Sequence, residues 1–465
     1  MAEAPEPTRD DASAVQEPTA ENGASRKESN LAVWSYVLYN FGNTPFQLTI
    51  LVLYFPLWLA EQYGAGPALF NYATSVAALL VVLIAPALGA LCDLHQSRLR
   101  YLVGLTLITV LFTFGLGFTH ALTGSLFVAI VVFVVAVVAY QLIQVPYYAL
   151  LPSVAEGRGT GKISGYTQAA GLIGTLLALL GFALFVAPER FFGHSLGGPE
   201  EIRRVFGPLG VWVQTSTAAV DSNTFLPTAV FFLLFALPAF FFVPDVAVRA
   251  PQPAKLVEAY RSVFATVRDI RAYPGLGTYM VVTLLYMDAF FVAIPNMSLF
   301  AKSVFGMGDG QISNLIAISL IFSVLSAFGG GRISDKVGPK RALLATLGLW
   351  IAGIMALVFA WAPWVLYVAA ALLLLANGAT LAVGTVLLIA LSPREKITEF
   401  MGFYVTVGQV SAALGPVIVA LLLGMFGGLG TGAYRIAISS LAVAMVLGIF
   451  LLLRVPDART PDAGT

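Results

Sequence analysis

One carboxylate, Asp288, lies well inside a long apolar run, just after Tyr286 and Met287. A charge at the centre of a membrane helix costs roughly 2.5–3.5 kcal/mol on insertion scales. A carboxyl that takes up a proton on one side and releases it on the other suits proton coupling. A carboxyl hydrogen-bonded across a bundle is structural. Amides recur in other runs at helical spacing. Tyr36, Asn40, Asn43, Gln47 and Tyr54 fall on one stripe, at spacings of 4, 3, 4 and 7. Tyr140, Gln141, Gln144, Tyr147 and Tyr148 repeat the pattern, and Gln168, Asn377 and Gln409 add single amides elsewhere. Buried amides must find partners. Lining a water-filled cavity satisfies them and gives a polar solute its contacts; bonding one helix to the next satisfies them too. The expected substrate-binding set is Asn40, Asn43, Gln47, Gln141, Gln144, Tyr148, Gln168, Asn377 and Gln409, with Asp288 as the coupling group.

Two short basic loops are nearly the same. One runs Gly89-Ala90-Leu91-Cys92-Asp93 and reaches Arg98 and Arg100. The other runs Gly331-Arg332-Ile333-Ser334-Asp335-Lys336-Val337-Gly338-Pro339-Lys340-Arg341. Their aspartates, 93 and 335, are 242 residues apart. A carboxylate among cations can bridge to the end of a neighbouring helix and hold one face of a bundle shut. Gly331 and Gly338 permit close approach and a tight turn. The alternative is a basic loop that only sets topology. Gating residues are therefore expected at Gly89, Asp93, Arg98, Gly331, Asp335, Gly338, Lys340 and Arg341.

The elements that must position these groups are membrane helices. Hydrophobic residues make up 58% of the 465-residue chain and charged residues 11%, where a soluble domain carries about 25%. Mean hydropathy is +0.87. Twelve apolar segments emerge: 33–58, 68–91, 99–119, 124–148, 162–187, 225–243, 276–300, 311–331, 341–361, 364–391, 400–424 and 433–454. Each must be helical, because hydrocarbon offers no partner to unpaired backbone. With the amino terminus inside, 20 of the 25 Lys and Arg lie on the inner side; Arg190, Arg203, Arg204, Lys302 and Arg435 make up the rest. Both termini are accordingly expected in the cytoplasm. Residues 1–30 are expected as a disordered tail, 31–243 as one six-helix half with an outer loop at 188–224, and 276–455 as the other half before a short tail, 456–465. Between the halves, 244–275 carries Lys255, Arg261, Arg268 and Arg271 among apolar residues, which suits an amphipathic helix on an anionic membrane surface.

The duplication has a second mark. Lys162-Ile163-Ser164-Gly165-Tyr166 and Glu399-Phe400-Met401-Gly402-Phe403-Tyr404 open the fifth and eleventh segments, with glycines 165 and 402 lying 237 apart. Two parallel repeats of six helices follow, an all-α membrane protein. The loop pattern Gly-x-x-x-Asp-x-x-Gly-x-Lys-Arg resembles the signature of the major facilitator superfamily; the second copy matches fully, and the first has Gln96 where the later glycine belongs. Further stretches narrow the resemblance: Tyr39-Asn40-Phe41-Gly42-Asn43-Thr44-Pro45-Phe46, Pro146-Tyr147-Tyr148-Ala149-Leu150-Leu151-Pro152, Tyr286-Met287-Asp288, and the opening of the eleventh segment. Together they are similar to the vacuole-effluxer-like branch, whose fungal member exports amino acids. Asn40 stands where that branch usually has Asp, and Ala289 where it usually has Gly. The Pro146–Pro152 stretch also resembles sugar–cation symporters of the glycoside–pentoside–hexuronide group.

The resemblance implies a secondary transporter of a small polar solute, amino acids or related metabolites, working by alternating access with protons or another cation. Sugar–cation symport is the alternative within transport, and a membrane scaffold or sensor the alternative outside it. The chain is expected to be a monomer in the bilayer, in the inner membrane if bacterial. No nucleic-acid partner is expected at a net charge of +1. No cofactor or metal is expected, because no His, Cys or carboxylate cluster has ligand spacing, and Gly329-Gly330-Gly331 lacks a phosphate-loop pattern. No catalytic constellation suggests an enzyme.

Overall fold

A computed structural model of the chain describes residues 20–65, 67–186, 225–245, 255–429 and 431–457. The outer loop 188–224 lies outside the described residues. All twelve apolar segments fall on helices. The first is built in pieces, α1 (Ala20–Asn43), a π-helical stretch (Gln47–Tyr54) and α2 (Phe55–Tyr63). Then come α3 (Pro67–His95), α4 (Arg98–Thr123), α5 (Leu126–Ala155), α6 (Thr160–Val186) and α7 (Phe225–Phe242). A short helix, α8 (Leu256–Arg268), stands between the halves. The second half comprises α9 (Leu276–Phe305), α10 (Asp309–Val337), α11 (Pro339–Val358), α12 (Pro363–Leu391), α13 (Ile397–Phe426) and α14 (Thr431–Leu453). Among the described residues, nine of these are by themselves long and apolar enough to cross a membrane.

The helix α1 starts at Ala20, inside the 1–30 stretch expected to be irregular. Ala24, Arg26, Lys27 and Glu28 are good helix formers, so the helix extends outward from its apolar part and passes through Gly23. Further on, Pro45 has no N–H to give and α1 cannot continue through it. Thr44 turns its hydroxyl back to the Asn40 carbonyl at 2.8 Å, and the backbone resumes as a π-helix. Such stretches are frequent at functional positions.

Packing repeats between the halves. In the first, α1 packs on α6 and α7, α5 on α3 and α4, and α4 on α7. In the second, α9 packs on α13 and α14, α12 on α10 and α11, and α11 on α14, the same arrangement shifted by six helices. The halves meet reciprocally, α3 against α13 and α10 against α6. Large apolar side chains on the outside, among them Leu111, Phe127, Phe241, Leu421 and Phe450, remain exposed. A surface of this kind is suited to lipid.

Candidate functional site

Both basic loops end a helix of one half at the beginning of a helix of the other. Asp93, near the end of α3, accepts the Glu399 backbone N–H at 2.8 Å, in the first turn of α13. Asp335, near the end of α10, accepts the backbone N–H groups of Gly161 and Lys162, each at 2.7 Å, in the first turn of α6. A helix start carries unpaired N–H donors and a partial positive charge, so a carboxylate is its natural partner. Glycines make the approach possible. A Cβ on Gly89 would fall 2.8 Å from Glu399 Cα, and one on Gly402 would fall 2.8 Å from Pro86 Cα. In the other copy, a Cβ on Gly331 would fall 2.9 Å from Gly165 Cα, and one on Gly165 would fall 2.6 Å from the Ala327 carbonyl.

The cations behave differently in the two copies. Arg98 is buried beside Asp93 (6% and 8% exposed), 3.5 Å from its carboxylate, and donates to the Thr398 hydroxyl at 3.0 Å. Lys340, which occupies the matching place, turns instead to the end of α14, bonding the Leu453 carbonyl at 3.2 Å and Asp457 at 3.3 Å. Arg341 is exposed. Arg332 reaches across the halves to the Tyr166 hydroxyl at 2.9 Å, its guanidinium 5.0 Å from the ring centre. The residues that differ at the later glycine both have positive φ, +91° at Gly338 and +50° at Gln96. Gln96 keeps the left-handed turn that its type disfavours and bonds the Asp93 carbonyl with its side chain.

Behind the latches lies a layer of tyrosines. Tyr36 and Tyr147 each donate to the other's backbone carbonyl at 3.0 Å, with their rings stacked 4.4 Å apart. Across the halves, Tyr148 meets Tyr404 edge to face at 6.5 Å. Tyr286 donates to the Tyr404 hydroxyl at 3.2 Å, and Tyr279 donates to the Gly384 carbonyl at 2.6 Å. Ser164 crosses to the Ala382 carbonyl at 2.7 Å. Among the described residues, the contacts that join the halves gather at this one end of the bundle.

The expected binding residues divide into three groups. Asn40 is buried in the α1–α6 interface and donates to the Thr167 carbonyl at 2.9 Å. Gln168 is buried against the Tyr148 hydroxyl, and Asn377 donates to the Ser323 hydroxyl at 3.2 Å while its carbonyl oxygen has no partner. Asn43, only 1% exposed at the break in the first span, has no partner for either amide atom, and the Gln144 carbonyl oxygen is buried and unpaired. Gln47 is exposed, and Gln141 and Gln409 are half-buried. Asp288 is half-buried on α9, with Oδ1 buried, unpartnered and facing Gly415 of α13. Any Cβ at Gly415 would occupy the place of that oxygen. Asp288 has no ion pair among the described residues.

Three contributors escaped sequence reasoning. Asp245 accepts the backbone N–H groups of Arg98 and Leu99 at 3.2 and 2.8 Å, capping α4 and fixing the loop that carries Arg98. Its signal was present: Val243-Pro244-Asp245 recurs as Val455-Pro456-Asp457, each after the last helix of its half. Glu399, which heads the motif opening the eleventh segment but is not singled out there, is buried beside Asp93, and Tyr279 completes the tyrosine layer without standing in any linear pattern that marks it.

The sequence profile described as Major Facilitator Superfamily matches residues 3–185 and 279–465. The uncharacterized MFS-type transporter YxiO of Bacillus subtilis is 20% identical over 439 residues, 92% of this chain and 95% of that protein. The multidrug resistance protein MdtG of Dickeya zeae is 28% identical over 226 residues, 48% of this chain and 54% of that protein. Among solved structures, the transporter FucP in the outward conformation superposes with a TM-score of 0.67 at 14% identity, covering 91% of this chain and 98% of that one. The human organic anion transporter MFSD10 superposes with a TM-score of 0.66 at 15% identity, covering 92% and 99%.

Proposed function

The chain belongs to the major facilitator superfamily and is a multi-pass secondary transporter, and on that premise we propose that it carries a small polar solute by alternating access, with the Asp93 and Asp335 latches as its inner gate. The observation that carries the reading is the reciprocal capture of helix starts. Each half holds the other at one end of the bundle, so releasing both latches frees the halves to rock about a central site. The excess of Lys and Arg at that end supports a cytoplasmic orientation for it. With the inner gate shut, the arrangement corresponds to the outward-facing side of the cycle.

The unpaired amide of Asn43, with the π-helical stretch beyond it, supports a solute contact there. A buried amide without a partner carries a desolvation cost that a solute's hydrogen bonds remove. Gln144 offers a second acceptor of the same kind. The lone carboxyl of Asp288 suits a coupling group, since it can carry a proton with no fixed cation to hold it ionised.

Two experiments test the assignment. A thermal-shift screen of the purified protein with amino acids, sugars and peptides at two pH values should show stabilisation by a polar solute, lost in Asn43→Ala. A shift of equal size in Asn43→Ala would remove that residue from the binding site. With the solute found, Asp288→Asn should abolish accumulation driven by a pH gradient while solute counterflow persists. Undiminished pH-driven accumulation in the variant would reject proton coupling through Asp288.

A further inference from the structure

The short helix α8 has three distinct faces. One packs on the bundle: Ala259 is buried against Ala87 and Ala90 of α3, and the Tyr260 hydroxyl donates to the Leu83 carbonyl at 3.2 Å. That face also touches the inner gate. Ser262 donates to Glu399 Oε2 at 3.0 Å, and Lys396 donates to the Thr266 hydroxyl at 2.7 Å. Glu399 is the residue whose backbone N–H Asp93 holds. The second face is apolar and uncovered: Leu256, Val257, Phe264 and Val267 are 55%, 69%, 72% and 53% exposed. On the third, Arg261 and Arg268 lie seven residues apart on one stripe beside the apolar face, with Lys255 and Arg271 at the two ends. Glu258 lies away from the apolar stripe, and Asp269 forms a solvent-exposed ion pair with Arg268 at 3.5 Å, a contact weak enough for a headgroup to replace.

Its height on the bundle says what meets these faces. Ala87 and Ala90, on which Ala259 packs, stand eight and five residues before the end of α3 at His95, which at 1.5 Å per residue is about 8–12 Å along the helix, and only the long Tyr260 side chain reaches further, to Leu83. Leu83 is itself exposed among lipid-facing residues. The helix α8 therefore lies along the side of the bundle rather than below it. An apolar stripe bordered by arginines at that level matches the interface of an anionic bilayer.

We propose that α8 is a lipid-dependent brace of the inner gate. Its apolar stripe enters the bilayer interface, and Arg261 and Arg268 engage anionic phospholipid headgroups. The docked helix then holds the start of α13 where Asp93 grips it. Anionic lipid consequently favours the closed inner gate. The brace rests on the assignment of this end as the inner gate.

Cys92 supplies a reporter. It is the only cysteine in the chain, it is buried, and it precedes Asp93. The full-length protein is reconstituted in phosphatidylcholine vesicles, or in an equal mixture of phosphatidylcholine and phosphatidylglycerol, and Cys92 alkylation by maleimide is timed. Alkylation should be slower in the mixture, on the order of fivefold, the ratio for about 1 kcal/mol of headgroup attraction. In Arg261→Gln/Arg268→Gln the ratio should fall close to one while the rate in phosphatidylcholine stays that of the unaltered protein. Both arginines are exposed, so the variant is expected to fold. Equal rates in the two lipids would leave the stripe to a protein partner and overturn the proposal. A full lipid response in the double variant would overturn it as well. Asp335→Asn serves as the separate test of the gate: it should speed Cys92 alkylation in both lipids, and no change there would remove the gate reading itself.

Discussion

The two loop carboxylates hold equivalent helix starts by different electrostatics. Asp93 works in a buried setting, with its carboxylate shared between a helix start and the enclosed Arg98. Asp335 works at a partly exposed position and grips two backbone N–H groups of α6, while Lys340 and Arg332 of its loop bond to α14 and Tyr166. Duplication preserved the geometry of the proposed gate, a carboxylate on a helix start across a glycine contact. It did not preserve the surroundings. A buried ion pair is strong only while both members are present, whereas an exposed loop loses its contacts singly.

That contrast predicts an order of effects. Asp93→Asn should destabilise the closed state most, by about 3–5 kcal/mol, because it strands the Arg98 charge in a buried place. Asp335→Asn should cost less, about 1.5–3 kcal/mol, the worth of hydrogen bonds to a charged group. Thermal midpoints and Cys92 alkylation rates compare the two directly, and equal losses would erase the distinction. The glycines test the part that is shared. Gly89→Ala and Gly331→Ala should each cost about 1–3 kcal/mol through forced separation of the helices, with similar values in the two halves. A large difference between them would mean that only one helix crossing closes tightly.

Smaller effects sharpen the comparison at the loop ends. Gly338→Ala should lose about 1 kcal/mol at its left-handed turn, while Gln96→Gly should be near neutral, relief of strain offsetting the lost side-chain bond. Lys340→Gln should change stability least, by less than about 1 kcal/mol, since its partner Asp457 is largely exposed. A loss as large as that of Asp335→Asn would show that Lys340 belongs to the latch after all.

Much of this fold is written in periodic apolar runs, and the latch residues are written in a motif that occurs twice. Those features are local, so the chain displays them without its partners. The tyrosine layer is not local: Tyr36, Tyr147, Tyr286 and Tyr404 come from four helices, and nothing in the spacing of one predicts the bond to another. The same holds for the amides. Asn40 and Asn43 share a sequence stripe, yet one donates to the Thr167 carbonyl and the other has no partner. A difference of three residues turns the side chain from the α6 interface to another surrounding, and the break at Pro45 lies just beyond it. Asp245 was legible only to a comparison of helix ends, where the Val-Pro-Asp triplet recurs.

Concerted closure is tested most directly by timing Cys92 alkylation in Asp335→Asn. The altered carboxylate belongs to one latch and the reporting thiol to the other, in the opposite half. If the two latches close a single inner gate, the variant exposes Cys92 several-fold faster than the unaltered protein. A Cys92 rate unchanged by the loss of Asp335 would contradict a single gate held from both halves.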